Sequence, residues 1–340
     1  RKSLPLKQDN VLSLTGTDLE VELTGRVTLE ESSENGQLTV PAKKLLDICK
    51  SLPDSSIIEF VLDDKKVSLR SGRSRFTLAT LPANEFPNVE SGDNAAEFSV
   101  LQGQLKRLID RTAFAMAQQD VRYYLNGMLW EISDGQLRAV ATDGHRLAVA
   151  DIPLIKQVDI DKTQVIVPRK GVLELVKLLA DSDAETLDLE FGSNHIQAAT
   201  KNLVFVSKLV DGKFPDYKRV LPKGGNKLVI AERQALKAAL SRTAILSNEK
   251  FRGVRFTLEN NLVSIQANNP EQEEASEEVS VDYSGEGLEM GFNVSYLIDV
   301  LGALGDNNIH IILNDSSSSA LIQDRDTKNN ARYVVMLMRP

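Results

Sequence analysis

Apolar positions recur with two different periods along this chain, and the two kinds of segment alternate. Over residues 11–23, 137–149 and 204–209, apolar and β-branched residues predict short strands. Elsewhere apolar residues recur every three to four positions, as on the inner face of an amphipathic helix. Few helices among many short strands predict an α+β protein with helices on one face of antiparallel sheet. The five helices are predicted to begin near Pro41, Leu101, Pro168, Arg233 and Asn293.

One strand segment occurs three times, and its copies begin at Leu12, Leu137 and Leu262, each 125 residues after the last. The helices at Pro41, Pro168 and Asn293 repeat in step with it. A period of this length corresponds to a whole domain, and three like domains in tandem suggest an arc or a ring. Linker-like stretches place the boundaries and predict domains at 1–95, 96–226 and 227–340.

The first of these domains is shorter than the other two. In the second and third domains a helix that ends in Arg-Thr-Ala precedes the repeated strand. Only eleven residues precede Leu12, which leaves no room for that helix. We therefore expect the first helix and part of one strand of this domain to be missing from the given sequence.

Composition narrows the class of protein. A net charge of −8 argues against indiscriminate coating of nucleic acid, although it leaves room for a local basic surface. The single cysteine, Cys49, excludes an intramolecular disulfide and favours the reducing cytoplasm. Cys49 falls on the apolar stripe of its helix, together with Leu46, so we expect both to be packed. No apolar run approaches the ~18 residues of a membrane span.

Charges are distributed unevenly over the predicted helices. Four of the five carry two or more Lys or Arg away from the apolar stripe. A solvated face explains any one of them, but in curved tandem domains equivalent helices face one side. Their cations then form one surface that suits sequence-independent phosphate contacts. The helix at Asn293, with Asp299 and no cation, departs from this pattern.

The two ends of the chain carry opposite charges. Each charged strand has a simple explanation as a solvated sheet edge that opposes aggregation. Taken together, a basic head and an acidic tail predict a heterologous contact that closes a ring when the rotation permits. The basic strand carries Lys65, Lys66, Arg70, Arg73 and Arg75, and the acidic one carries Glu271, Glu273, Glu274, Glu277 and Glu278.

One short segment has the residue types of a catalytic site. His145 follows Asp143 by two residues, and a histidine beside a carboxylate is able to act as a general base. The aligned copies read Asp18-Leu-Glu and Asn268-Asn-Pro, however, which indicates a turn after a strand. The chain has no G-x-S-x-G nucleophile motif, no phosphate-binding loop and no metal-ligand spacing. We therefore expect no catalytic site, no metal and no cofactor; a hydrolase that uses His145 and Asp143 is a distant alternative.

Several long segments resemble the β sliding clamps, the beta subunits of bacterial DNA polymerase III, of the proteobacterial type. The resemblance covers almost the whole chain and is carried by 119–128, 142–148, 207–217, 247–253 and 267–274. It implies the DNA clamp fold, with two helices inside and antiparallel sheets outside in each domain. It also implies a head-to-tail homodimeric ring that encircles double-stranded DNA, slides, and tethers the replicative polymerase as a non-catalytic processivity factor in DNA replication.

The resemblance further implies three sets of site residues. A groove between the second and third domains would bind short linear motifs of the polymerase, the clamp loader and other proteins. The groove set is Leu125, Thr142, Gly144, His145, Arg146, Leu147, Pro215, Arg219, Val220, Asn293, Tyr296, Ser319, Val334, Val335, Met336 and Met338. The DNA-facing set is Arg1, Lys43, Arg107, Gln119, Tyr123, Tyr124, Arg169 and Lys170. The dimer set is Lys66, Arg73, Arg75, Phe76, Leu78, Ile245, Leu246, Glu271 and Glu273.

The C-terminal tail departs from the family's usual Met-Pro-Met-Arg-Leu. Here Leu337 stands in place of the proline and Pro340 in place of the final leucine. A different reading of the same residues is a repeat-domain scaffold that binds peptides and never encloses DNA. That protein would need only the groove, and not the basic helix faces.

Overall fold

The computed structural model describes residues 2–8, 10–30, 34–63, 65–87, 94–155, 162–222, 224–326 and 330–338. The α-helices in these ranges are α1 (Ala42–Ser51), α2 (Gln102–Thr112), α3 (Arg169–Val176), α4 (Arg233–Thr243) and α5 (Val294–Ala303). The strands are β1 (Lys2–Gln8), β2 (Val11–Thr17), β3 (Val21–Thr28), β4 (Val40–Pro41), β5 (Glu59–Asp63), β6 (Lys66–Ser71), β7 (Ser74–Ala79), β8 (Asn94–Leu101), β9 (Gly127–Ser133), β10 (Gln136–Thr142), β11 (Arg146–Pro153), β12 (Thr163–Pro168), β13 (Thr186–Gly192), β14 (His195–Ala199), β15 (Leu203–Lys208), β16 (Lys227–Glu232), β17 (Gly253–Glu259), β18 (Leu262–Asn268), β19 (Glu274–Asp282), β20 (Leu288–Asn293), β21 (Asn308–Leu313), β22 (Ala320–Asp324) and β23 (Arg332–Val335).

One module of a strand, a helix and a three-stranded antiparallel meander repeats along the chain. It appears as β8-α2-β9-β10-β11, and again from β12, β16 and β20 onward. Successive modules exchange their first strands: β12 pairs with the meander that begins at β9, and β8 pairs with the meander that begins at β13. The 125-residue period therefore contains two modules, and the α+β architecture predicted from the sequence is confirmed.

The described residues form two compact units. The first comprises Arg1–Ser99 and Thr186–Leu209, with the sheet β4-β1-β2-β3-β15-β14-β13-β8 and the sheet β5-β6-β7. The second comprises Val100–Glu185 and Val210–Pro340, with one twelve-stranded sheet. These two units differ from the three domains predicted from the sequence. Strands distant in sequence pair within each unit, β3 with β15 in the first and β11 with β23 in the second. The domain boundaries at 95 and 226 stay a prediction.

The core of the second unit lies between its helices and the inner sheet face. Leu137 and Ala139 on β10 are fully buried, as are Leu105 and Leu108 on α2, which packs on β10 and β11. Helix α4 packs along α5 in the same way. Alternation along each strand sends every second side chain to this face, which is the pattern from which the strands were predicted. None of the helices in the described ranges is long and apolar enough to cross a bilayer.

Helix α1 is packed on one flank only. Leu45 is buried against the cluster that contains Val40 and Leu69. The expectation that Leu46 and Cys49 are packed is wrong, because both side chains are exposed. The physical reason is that α1 is the only α-helix of its compact unit among the described residues. Its second apolar flank therefore has no helix to cover it, unlike α4 beside α5.

Candidate functional site

The segment between β10 and β11 is a side-chain-stabilised turn. Asp143 Oδ1 accepts hydrogen bonds from the backbone N–H groups of His145 at 2.9 Å and Arg146 at 3.0 Å. Thr142 Oγ1 accepts from the N–H of Gly144 at 3.1 Å and donates to the carbonyl of Arg146 at 2.6 Å. Gly144 has φ +91°, a conformation that disfavours a side chain. The Asp143 carboxylate therefore accepts hydrogen bonds from backbone N–H groups, which supports a role in the turn and not a general-base pair with His145.

The first copy of the repeat makes the same turn with the same bonds. Asp18 Oδ1 accepts from the N–H groups of Glu20 at 3.2 Å and Val21 at 3.0 Å. Thr17 Oγ1 donates to the carbonyl of Val21 at 2.9 Å and accepts from the N–H of Leu19 at 3.1 Å. What distinguishes the second copy is therefore the pair of side chains that follows the turn, His145 and Arg146.

Arg146 connects β11 to helix α5. Its guanidinium lies over the ring of Tyr296, 4.6 Å from the ring centroid, and pairs with the carboxylate of Asp299. It also donates to the carboxylate of Asp143 at 3.1 Å and to the carbonyl of Phe114 at 2.9 Å. Asp299, the acidic residue that departed from the basic helix pattern, thus serves this contact.

Tyr296 is held in place from two sides. The ring of His145 stacks on it with 18° between the planes and 6.3 Å between centroids. Asn293 caps α5, and its Oδ1 accepts from the N–H groups of Ser295 and Tyr296. Burial raises the pKa of the Tyr296 phenol, so it stays neutral. The result is a platform of an aromatic ring, an imidazole and a paired guanidinium at the start of α5.

The C-terminal tail runs from β23 past this platform. Val334 and Val335 pair with Leu147 and Arg146 on β11, and both are fully buried. The N–H of Met336 donates to the carbonyl of His145, and the N–H of Met338 donates to the carbonyl of Gly291, each at 2.9 Å. Ser319 lies beside the tail, since the next residue, Ala320, pairs with Val335. The tail therefore forms one wall of the site despite Leu337; Pro340 lies outside the described residues.

Residues 210–221, here called the cover segment, form the opposite wall. Phe214 and Tyr217 are buried in one apolar cluster with Leu147 and Val334. Pro215, Arg219 and Val220 are exposed on the same segment. Leu125, on the turn before β9, is fully buried. These contacts connect the predicted groove residues of 142–147, 293–296 and 334–338, and the cover segment packs on the same apolar cluster. We call this surface the partner groove.

The sequence prediction missed one exposed aromatic residue at this site. Phe251 is 56 % exposed, and its carbonyl accepts a hydrogen bond from Asn293 Nδ2 at 3.3 Å. Lys250 Nζ lies 5.2 Å from the centre of its ring. Phe251 falls inside the segment 247–253, which carries part of the family resemblance. Its position there was the sequence feature that could have marked it as a site residue. The contacts Arg146–Asp299 and Arg146–Phe114 had no sequence signal.

Two of the predicted DNA-facing cations differ in their surroundings. Lys43 is exposed on α1 and makes no ion pair with any described residue. Arg107 is exposed on α2, but its Nη2 lies 2.7 and 2.9 Å from the two carboxylate oxygens of Asp183. Part of its charge is therefore balanced within the protein, which weakens any phosphate contact. Arg1 lies outside the described residues.

The remaining DNA-facing candidates belong to the second compact unit. Gln119 is exposed with φ +57°, and Tyr123 is exposed beside the half-buried Tyr124, with 5.9 Å between ring centroids. Arg169 and Lys170 begin α3 and are half-buried. Arg169 Nη1 is enclosed without a hydrogen-bond partner among the described residues. The loop residues are thus more accessible to a ligand than the two α3 cations.

The basic strand of the predicted dimer contact is β6-β7. Lys66, Arg73 and Arg75 are exposed and make no ion pair with any described residue. Phe76 is half-buried. Leu78 is only 7 % exposed and belongs to the core cluster of the first compact unit, so its side chain packs inward.

The acidic side of the predicted dimer contact lies in the second compact unit. Ile245 is 75 % exposed, Leu246 is half-buried, and Glu271 and Glu273 are exposed. Glu273 also accepts a hydrogen bond from Asn269 Nδ2 at 2.6 Å, which fixes the turn that presents both carboxylates. The dimer contact stays a prediction, for which these exposed side chains are the candidates.

The repeated βαβββ modules in antiparallel sheets define the fold of a clamp protein. Family models of the DNA polymerase III beta subunit match its N-terminal domain at residues 4–90, its central domain at 99–216 and its C-terminal domain at 218–339. The chain belongs to the DNA polymerase III beta subunit family. The resemblance stated from the sequence, and the function of a sliding clamp and polymerase processivity factor, are confirmed.

Named relatives agree with this assignment. The chain is similar to the beta sliding clamp of Pseudomonas aeruginosa, with 61 % identity over 330 residues, 96 % of this chain and 89 % of the relative. It is 53 % identical to the beta sliding clamp of Escherichia coli K12 over 331 residues, 97 % of this chain and 89 % of the relative. A crystal structure of the Pseudomonas aeruginosa clamp with ligand has a TM-score of 0.97 and 58 % identity, covering 100 % of this chain and 92 % of that one. The same organism's clamp bound to griselimycin has a TM-score of 0.95 and 58 % identity, covering 100 % and 91 %.

Proposed function

We propose that two copies of this chain close head-to-tail into a ring around duplex DNA, as a non-catalytic cytoplasmic subunit without a cofactor. The observation that carries the proposal is the pair of opposite, accessible charged surfaces in a chain of this family. Arg73 and Arg75 are exposed on the first compact unit, and Glu271 and Glu273 on the second. Complementary patches at the two ends of a chain make a heterologous contact, which forms a closed ring when its rotation is two-fold.

Light scattering after size exclusion tests ring formation. We expect twice the 37.5 kDa chain mass at micromolar concentration. Arg73→Glu with Arg75→Glu should yield monomers, and adding Glu271→Arg with Glu273→Arg should restore the dimer. A strict monomer for the unchanged chain, or charge reversals without effect, would contradict the proposal.

Topology is the second part of the proposal. A closed ring cannot leave DNA sideways, so weak phosphate contacts through residues such as Lys43 suffice and permit sliding. After a clamp loader has placed the protein on a nicked plasmid, it should stay bound in high salt. Cutting the plasmid should release it. Loss in high salt before cutting would favour the alternative of a peptide-binding scaffold, for which neutralising Lys43, Arg107 and Lys170 changes nothing.

We further propose that the partner groove binds short linear segments of the polymerase, the clamp loader and other proteins. Arg146 and Tyr296 provide a polar and aromatic anchor, and Pro215, Val220 and Met336 provide an apolar rim, which suits an extended peptide. Griselimycin, which is bound by a clamp 58 % identical to this chain, is a suitable probe. Calorimetric titration should show one site per chain. Binding that survives Tyr296→Ala unchanged would place the ligand elsewhere.

A further inference from the structure

A row of polar side chains crosses the sheet beneath the cover segment. Strand register sets Gln164 opposite Glu131, Glu131 opposite Arg138, and Arg138 opposite Asp151. Glu131 is only 1 % exposed, and the Asp151 side chain is largely buried. Buried charges lower stability unless they are paired and hydrogen-bonded, so the row needs a structural or functional reason. We call these four residues the polar row.

The hydroxyl of Tyr217 bridges two members of the polar row, Arg138 and Glu131. Arg138 binds the Asp151 carboxylate through two nitrogens, at 2.5 and 3.0 Å, and donates to the Tyr217 hydroxyl at 3.1 Å. The hydroxyl in turn donates to Glu131 Oε1 at 3.1 Å. It is therefore fixed in both distance and direction, as donor and as acceptor.

Neighbouring groups keep the row charged. Burial raises the pKa of Glu131, but hydrogen bonds from Lys162 and Gln164 more than offset this effect, and the pKa ends below its usual value. Lys162 Nζ lies 2.9 Å from Glu131 Oε2. Burial raises the pKa of the Tyr217 phenol, so it keeps its proton and can donate. Glu131 is thus a charged acceptor for a neutral hydroxyl, a strong kind of hydrogen bond.

The other attachments of the cover segment lie at its two ends, where the N–H of Val210 donates to the Ile166 carbonyl at 2.9 Å and Val210 and Leu221 pack on the apolar cluster. From 211 to 220, Phe214 and Tyr217 are its only buried side chains. The N–H groups of Arg219, Val220 and Leu221 all donate back to carbonyls within the segment. Phe214 contributes apolar contact to the same cluster and no hydrogen bond from its side chain. The Tyr217 hydroxyl is the one directional bond from a side chain in 211–220 to the sheet that the structure records.

We infer that Tyr217 is a positioning residue for the partner groove: its hydroxyl, held by Arg138 and Glu131, sets where Pro215 and Val220 meet a bound peptide. The inference rests on the proposed peptide-binding function. It gives the buried polar row a role, because the row orients the Tyr217 hydroxyl in the middle of the cover segment. Hydrogen bonds between buried polar groups add orientation that apolar packing lacks.

Tyr217→Phe tests this inference, since it keeps the ring and removes only the hydroxyl. Tyr283→Phe is the matched control: Tyr283 is also buried, and its hydroxyl donates to the Glu286 carbonyl at 2.8 Å. With griselimycin as the probe, we expect about five- to tenfold weaker binding for Tyr217→Phe and none of this loss for the control. Hydrogen exchange at the amides of Val220 and Leu221 should accelerate in Tyr217→Phe alone.

A second variant separates positioning from general stability. Glu131→Gln keeps the side-chain volume and weakens the same bond. If Glu131 acts through Tyr217, adding Tyr217→Phe to Glu131→Gln should weaken binding less than it does in the unchanged chain. Additive losses, or equal binding and exchange in Tyr217→Phe and the control, would overturn the inference. Failure of the unchanged chain to bind griselimycin would instead count against the proposed groove function.

Discussion

The C-terminal tail passes closer to strand β20 than a side chain at Gly291 would allow. A Cβ atom added to Gly291 would lie 2.7 Å from the carbonyl oxygen of Met338, a distance that real Cβ atoms essentially never show. In Gly291→Ala the tail must therefore retreat by about 0.5–1 Å to reach an ordinary contact. If it stayed, overpacking would cost about 1–3 kcal/mol.

Residues 336–338 lie outside the strands, so we expect this segment to move. The bond from the Met338 N–H to the Gly291 carbonyl, now 2.9 Å, would then be lost, at a cost of about 1 kcal/mol. Met336 and Met338 would leave their places in the partner groove, and griselimycin binding should weaken about fivefold. Calorimetric titration measures the affinity, and thermal denaturation measures the smaller change in stability.

Gly253 supplies the matched control. It lies on the neighbouring strand β17, and a Cβ atom there would meet only Met338 Cε, at 3.9 Å, an ordinary contact. Alanine in place of either glycine brings the same small gain in strand propensity. Gly253→Ala should therefore bind griselimycin as the unchanged chain does. Equal affinities for the two alanine variants would refute the steric reasoning.

Three more predictions follow from packing and charge. Arg146→Ala should reduce the free energy of unfolding, measured by urea denaturation, by about 1–3 kcal/mol because it leaves carboxylates unpaired. It should also abolish griselimycin binding detectable by calorimetry, because it uncovers Tyr296. Glu131 has a pKa below its usual 4.5, so its contribution to stability is complete above pH 4.5 and is lost as the pH falls through the lower folded-state pKa. The difference in melting temperature between the unchanged chain and Glu131→Gln should therefore narrow on acidification; a constant difference would contradict the assignment. Leu137→Ala should reduce the free energy of unfolding by about 2–5 kcal/mol, because Leu137 is fully buried beneath α2. Leu12→Ala, at the equivalent but partly exposed position, should reduce it less, and urea denaturation measures both values.

Many elements of the fold can be predicted from the local pattern of apolar residues. The contacts between residues distant in sequence cannot be predicted in this way. Alternation and helical spacing predict strands and helices because they report which face of an element is buried. They do not report what covers that face, which is why Leu46 and Cys49 were expected to be packed and are exposed. The pairing of Arg146 with Asp299 joins residues 153 positions apart, so no local period reveals it. The groove residues were available through family resemblance, whereas their contacts required the structure.

The three copies of the repeated strand show how one fold carries different tasks. After the first copy, Asp18 closes a turn through its bonds to the N–H groups of Glu20 and Val21. After the second, Asp143 makes the same bonds, and the residues that follow it add a guanidinium and an imidazole that build the groove platform. After the third, Asn269 makes a longer turn, in which Oδ1 accepts from the N–H of Glu273 at 2.9 Å, and the turn presents acidic side chains instead. In each copy a side-chain oxygen, that of Asp18, Asp143 or Asn269, accepts a backbone bond that holds the turn. The chemistry of the copies differs at the neighbouring positions, where the second copy has His145 and Arg146.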